Sequence, residues 1–265
     1  MKIYISVDFE GICGTTDWDE VTRGKDEYPE FQKQMTAEVV AACEGAMKAG
    51  ATDIVINDAH DSARNIITRE LPRNSRLIRG WSYHPYMMMQ ELDSSFDAAM
   101  MIGYHSFAGG DGNPLSHTMS TKISQLASNG QQTSEFLINW YTAMLEKVPV
   151  VFISGDQQLC DHATALLPAI SSAAVKTGLG ASTNNIHPQA AVEKIIEGAC
   201  TALSTDMSNC LVDLPSRFQV SIIYSNNLDA YKFGFYPGAR LIAPNEIIFE
   251  SDDYFDILRF FLFTL

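Results

Sequence analysis

Two carboxylates separated by one residue, Asp8 and Glu10, close the chain's first apolar run, Ile3-Tyr4-Ile5-Ser6-Val7. The run is short and rich in β-branched residues, as buried strands are. Residues i and i+2 of a strand point to the same side, so the two acids converge on one point. Such a pair is costly unless something cationic sits between them, and a divalent metal meets that need. Two further motifs offer imidazoles at equivalent places. Asn57-Asp58-Ala59-His60 ends the second apolar run, and Gly103-Tyr104-His105 ends the third. Asp8, Glu10, His60 and His105 make a hard-to-borderline ligand set suited to zinc or manganese. Glu135, with Asn139 one helical turn on, adds a fifth acid-bearing position near the start of a predicted helix. Five ligands exceed what one catalytic metal with an open position needs. Two metals bridged by one carboxylate fit better, and Asp8 is the natural bridge.

His117 stands in Leu115-Ser116-His117-Thr118, just after the glycine-rich Ala108-Gly109-Gly110-Asp111-Gly112. Loops of this kind move, or bring backbone donors close to a ligand. A histidine there, not needed as a ligand, is a candidate acid–base or nucleophilic group. Ser116 beside it makes no triad, because sequence neighbours in a loop do not form the required geometry. His84, His162 and His187 lack comparable context and read as structural or exposed. Asp58 reads as a cap for the turn after its strand, and Cys13 as a small buried filler beside the acidic pair. Lys176 reads either as a surface residue or as a counter-charge for a substrate carboxylate or an oxyanion.

These residues require strands that end at a common edge. The pattern predicts strands at 3–7, 53–57, 98–103, 148–156 and 173–175, separated by helices over 36–49, 134–145 and 157–166 and a short one at 87–92. Residues 18–34 are polar and turn-rich and read as a long loop. The expected fold class is α/β, with a mostly parallel sheet carrying helices on both faces. Ligand sites in such sheets lie outside the carboxyl ends of the strands, where all three motifs fall. After a helix at 188–203 the pattern changes to strands near 218–223, 241–243 and 247–250 and a helix over 252–261. This predicts a smaller α+β unit, giving a division into 1–190, which holds the metal site, and 191–265.

The chain has 265 residues, 46% of them apolar, with 32 acids against 18 bases and a net charge of −14. That balance argues against a nucleic-acid or anionic-membrane surface. No apolar segment approaches membrane-spanning length, and no leader pattern precedes the first strand. Five cysteines form no C-x-x-C pair, and their odd number suits a reducing compartment. A cytoplasmic protein is expected. The first strand lacks G-x-G-x-x-G, which argues against a nucleotide-binding Rossmann domain.

Taken in order, Ser6-Val7-Asp8-Phe9-Glu10-Gly11-Ile12-Cys13-Gly14, Asn57-Asp58-Ala59-His60, Gly103-Tyr104-His105, Ser116-His117-Thr118 and Glu135 with Asn139 resemble the zinc-dependent D-aminopeptidase family encoded with dipeptide-transport operons. Ala173-Ala174-Val175-Lys176 and Tyr236-Pro237-Gly238 extend the likeness over nearly the whole chain. The resemblance implies two Zn²⁺ ions per chain, bridged by Asp8, with Glu10 and His60 on one and His105 and Glu135 on the other. It implies that His117 is the catalytic residue, described in the family as a nucleophile; acid–base assistance to a metal-activated water is the physical alternative. It further implies release of N-terminal D-amino acids from short peptides by a homodecamer of two stacked pentameric rings. The chain departs from the family at Ser134 and Leu137, where glycines usually flank the helical Glu, and in Thr177-Gly178-Leu179-Gly180-Ala181-Ser182, which lacks the usual basic residue. Two other readings stay open: a dinuclear hydrolase of another amide or a phosphoester, and a non-catalytic α/β assembly protein.

Overall fold

In the computed structural model, which describes residues 1–265, the apolar runs named above are strands, and only the one at 241–243 is largely exposed. The strands are β1 (Lys2–Val7), β2 (Asp53–Asp58), β3 (Ser75–Ile78), β4 (Ala98–Tyr104), β5 (Ile123–Ser128), β6 (Gln131–Gln132), β7 (Val150–Asp156), β8 (Ser171–Leu179), β9 (Ser182–Asn185), β10 (Phe218–Tyr224), β11 (Arg240–Ala243) and β12 (Glu246–Ser251). The helices are α1 (Trp18–Val21), α2 (Tyr28–Lys48), α3 (Glu135–Leu145), α4 (Gln157–Leu166), α5 (Pro188–Ser204), α6 (Asn227–Phe233) and α7 (Tyr254–Thr264).

Seven strands form one sheet in the order β3-β2-β1-β4-β7-β8-β9, parallel except for the β8–β9 hairpin at its edge. From Ile3 onward β1 is wholly buried, and so are all of β4 and β7, as strands covered on both faces must be. Helices α2 and α5 pack on each other and on this sheet, and α4 lies against β7 and β8. The other five strands form an antiparallel sheet, β11-β12-β10-β5-β6, backed by α6 and α7.

The two units do not divide at residue 190 in space. Ala191, Ile195, Ala199 and Leu203 of α5 belong to the larger hydrophobic core, beneath the parallel sheet. Conversely β5 and β6, from the middle of the chain, pair into the antiparallel sheet, and Ile123 and Leu126 join its core. Segment 18–34 is a loop only over 22–27. Asp17 and Glu20 cap α1 reciprocally, and α2 already begins at Tyr28, with Pro29 in its first turn, where the missing N–H costs nothing. The short helix expected at 87–92 is a single 3-10 turn at Met87–Met89.

β1 is the central feature. It pairs in parallel with β2 on one side, Val7 opposite Asp58, and with β4 on the other, Val7 opposite Ile102. The chain order reverses here: connections step outward to β2 and β3, then return across β1 to β4 and continue the other way. Such a switch opens a crevice at the carboxyl ends. Two glycines let the β1 and β4 ends close up beyond it. A Cβ on Gly11 would lie 1.7 Å from the Tyr104 carbonyl oxygen, and Gly103, at φ +72°, would place one 2.4 Å from the Asp8 carbonyl oxygen. With only hydrogens there, Gly11 N donates to the Gly103 carbonyl at 2.8 Å.

Candidate metal centre

Strand ends and one helix start set the side chains. Asp8 follows β1 directly, His60 lies two residues beyond β2, and His105 follows β4. Glu135 is the first residue of α3, after Ser134, whose side chain accepts from Leu137 N as the cap. A carboxylate at that position is favoured by the helix dipole. His117 lies on the connection that leaves β4 for β5.

The structure brings all six predicted residues together. Asp8, Glu10 and His60 form one group of potential ligand atoms lying within 4.8 Å of one another; Asp8, His105 and Glu135 form a second; Glu10, His105 and His117 form a third. Asp8 Oδ1 is 3.4 Å from His60 Nδ1 and its Oδ2 is 3.4 Å from His105 Nε2, so one carboxylate faces two groups. His60 Nδ1 is 2.9 Å from Glu10 Oε2, and His105 Nε2 is 3.6 Å from Glu135 Oε1. His117 Nε2 reaches Glu135 Oε1 at 3.7 Å and Glu10 Oε1 at 4.0 Å. Its ring stacks on His105, with centroids 4.4 Å apart.

Each imidazole is oriented the same way. His60 Nε2 lies 2.9 Å from the Val21 carbonyl, His105 Nδ1 2.8 Å from that of Ser106, and His117 Nδ1 2.9 Å from that of Leu115. A carbonyl accepts only, so the nitrogen beside it carries hydrogen and the other turns a lone pair toward the acids whenever the ring is neutral. Metal-binding histidines are held in this way.

The electrostatics set buried acids against buried imidazoles, with Asp8 the one acid left uncompensated. Asp8, Glu10 and Glu135 are each at most 3% exposed. Burial, then the neighbouring Glu10 and Glu135, push the Asp8 carboxyl well above its usual range. Burial also acts to raise Glu10 and Glu135, but the imidazoles outweigh it and hold both below the usual carboxylate range. Burial disfavours charge on His60 and His105 too, yet the acids prevail, lifting His60 well above its ordinary value and His105 to about 10. His117 moves the other way: burial and the adjacent His105 lower it and favour the neutral ring. Asp8 Oδ2 and His105 Nε2 are buried without any hydrogen-bond partner, and Glu10 Oε2 has only the His60 ring nitrogen at 2.9 Å. Native interiors rarely leave such atoms orphaned. Cations between them would satisfy all three, and this donor set of carboxylates and imidazoles fits zinc.

Residues around the site hold it in place. Asp58 is the cap its position suggests: it accepts from Asn65 N, Ile66 N and Asn65 Nδ2, and Asn65 Nδ2 also reaches the His60 carbonyl. Asn139 donates to Tyr104 Oη at 3.0 Å and stands outside the ligand groups. Cys13 is buried, its Sγ 3.2 Å from the Ile186 carbonyl. Lys176 is neither on the surface nor in the crevice. It is 3% exposed, its Nζ donates to the backbone behind Glu10, and burial lowers its ammonium to about 8. Residues without a sequence signal also contribute. Met119 N donates to Glu135 Oε1 at 2.7 Å, and Asn113 Nδ2 donates to the Glu10 carbonyl at 2.9 Å. Trp18, in the segment read as loop, sets its ring 5.4 Å from that of His117.

The acids open into a cleft of about 360 Å³ whose walls include Trp18, Trp81, Met88 and Met119. A small molecule or the end of a peptide fits there, with carboxylates and imidazoles on the floor and aromatic surface on the walls. Comparison with known proteins agrees with this chemistry. A D-aminopeptidase of Bacillus subtilis (strain 168) is 30% identical over 255 residues, spanning 96% of this chain and 92% of that protein. The solved structure of the Zn-dependent D-aminopeptidase DppA from Bacillus subtilis, described as a self-compartmentalizing protease, superposes with a TM-score of 0.92 at 28% identity. It covers 99% of this chain and 96% of its own. The peptidase M55 family, described as D-aminopeptidase, matches residues 1–263, and the chain belongs to that family.

Proposed function

We propose that this chain is a zinc aminopeptidase that holds two metal ions and releases the N-terminal amino acid, of D configuration, from short peptides. The observation that carries the proposal is the shared Asp8 carboxylate, with one oxygen toward His60 and the other toward His105. On this reading Glu10 and His60 complete one site, and His105 and Glu135 the other. When bound, the two ions polarise the scissile carbonyl and make a water acidic enough to attack at neutral pH.

The chain's own residues supply the rest. The neutral form of His117 presents Nε2 to the cleft while the Leu115 carbonyl fixes Nδ1. It takes a proton at Nε2 and returns it to the departing amine, a role worth roughly 10²–10⁴ in rate. Nucleophilic attack by the same atom is the family-derived alternative. Trp18 and Trp81 wall the cleft and offer apolar surface to the substrate.

Further parts of the reading have separate support. Five unpaired cysteines fit a cytoplasmic protein, and no helix is long and apolar enough to cross a membrane. The self-compartmentalizing relative supports homo-oligomerisation, with the decamer as the form proposed.

The test is elemental analysis of natively purified protein together with cleavage of D-alanyl and L-alanyl peptides by wild type and His117→Ala. Two zinc ions per chain, D-selective cleavage, and roughly 10²–10⁴-fold slower turnover with metal retained in the variant are expected. Less than one metal per chain, or phosphatase without peptidase activity, would overturn the proposal.

A further inference from the structure

Glu10 sits on a main-chain turn that the fold grips from the side opposite the cleft. Lys176, near the end of β8, donates from Nζ to the Glu10 carbonyl, the Thr15 carbonyl and Thr15 Oγ1, each at 2.6 Å. An ammonium has three hydrogens, and all three are used on one turn. The Thr15 hydroxyl also lies 2.9 Å from the carbonyls of Glu10 and Ile12, closing the turn on itself. Asn113 Nδ2 approaches the Glu10 carbonyl at 2.9 Å. The same hairpin holds the following residues: Gly14 N donates to Asn185 Oδ1 at 2.8 Å, and the hydroxyls of Thr16 and Thr183 lie 2.6 Å apart. On the other side, Cys13 N donates to Glu38 Oε1 at 2.9 Å, and Glu38 is itself fully buried.

A buried ammonium is expensive, and an apolar side chain could fill the same volume at lower cost. Lys176 makes no close ion pair that would explain it. One of its bonds reaches the Glu10 carbonyl directly, the other two hold Thr15, whose hydroxyl lies against that same carbonyl, and Lys176 does not line the cleft. We propose that Lys176 is a positioning residue for the metal centre: by fixing the Glu10 carbonyl from the core side, it aims the Glu10 carboxylate into the group formed with Asp8 and His60. Asp8 and His105 are fixed separately, by the ends of β1 and β4, and Glu135 by the start of α3. Glu10 is no member of the Asp8/His105/Glu135 group, so the effect of Lys176 falls on the Asp8/Glu10/His60 site. This inference rests on the two-metal reading above.

The measurement is titration of metal-free full-length protein with Zn²⁺ against a competing chelator, in two backgrounds. His105→Ala leaves the Asp8/Glu10/His60 group, and His60→Ala leaves the Asp8/His105/Glu135 group. Lys176→Met is expected to weaken zinc binding about 10- to 100-fold in the first background, in the range of outer-shell substitutions at metal sites, and to leave it within about two-fold in the second. Thr15→Val, which removes one Lys176 acceptor with little change of volume, should show the same selectivity more weakly. It carries the test if Lys176→Met does not fold. Equal losses in both backgrounds, or none in either, would overturn the role of Lys176 while leaving the two-metal reading in place. Absence of zinc binding by the wild type would overturn both.

Discussion

At the scale of single residues, the centre is a cluster of opposite charges waiting on a cation. His105 is lifted to about 10 by Glu135 and Asp8 against the pull of burial, so at neutral pH in metal-free protein it carries a proton. Zinc must displace that proton to use Nε2 as a ligand. The sign follows: binding releases protons between pH 7 and 8, and zinc affinity falls as pH drops, by up to about tenfold per unit for each proton displaced. Calorimetry in buffers of different ionisation enthalpy reads the number directly, and a value of zero between pH 7 and 8 would contradict it. Much of this scale was legible beforehand. An acid or an imidazole at a strand end has few structural reasons to recur three times at one sheet edge, so Asp8, Glu10, His60 and His105 pointed to a common place. Lys176 was not legible, because nothing in Ala173-Ala174-Val175-Lys176 says that its side chain turns inward. Asn113 and Met119 act largely through loop geometry, which leaves no periodic trace.

At the scale of elements, the close approach of β1 and β4 depends on two residues without side chains. Gly11→Ala would place a methyl carbon 1.7 Å from the Tyr104 carbonyl oxygen, a backbone atom that cannot swing away. The strands must part, at a cost of about 1–3 kcal/mol or more by the measure of overpacked cores. A lower thermal midpoint and weaker zinc binding are expected together in this variant; an unchanged midpoint would show that the ends have room to spare. The five main parallel strands were readable from their continuous apolar runs. The antiparallel sheet was only half readable. β5 and β6 are short and carry polar residues, and β5 gains burial only by pairing with β10, far along the chain. One signal did mark them: Asn129-Gly130, both at positive φ, is a tight-hairpin dipeptide. α2 escaped in part because its N-cap Glu27 and, in its first turns, Glu30 and Lys33 lie on the solvent side, which reads as loop polarity.

At the scale of the whole molecule, the antiparallel unit carries an exposed apolar face. Leu228, Tyr231 and Phe235 are 72%, 61% and 72% exposed on and just beyond α6, and Ile242 is 52% exposed on β11. Tyr231 and Phe235 stack edge to face with centroids 5.3 Å apart, and Gly234 lies against the Leu241 side chain. Large exposed apolar side chains of this kind favour a partner, and a second copy of the chain fits the proposed oligomer. Replacing Tyr231 and Phe235 with Asp is expected to shift the protein to smaller species by sedimentation velocity with its secondary structure intact; an unchanged assembly would place the contacts elsewhere. The same unit is threaded through the middle of the sequence. The chain leaves β4 for β5 through the segment bearing His117, and returns from β6 to α3 through only Thr133 and Ser134 before reaching Glu135. Asp8, Glu10 and His60 have no such tie, since their segments belong to the parallel sheet alone. The residues of the centre thus have different mechanical grounding. Asp8, Glu10, His60 and His105 are anchored in the frame, while His117 and Glu135 hang on the tether between the sheets, where any tug on the outer sheet arrives first.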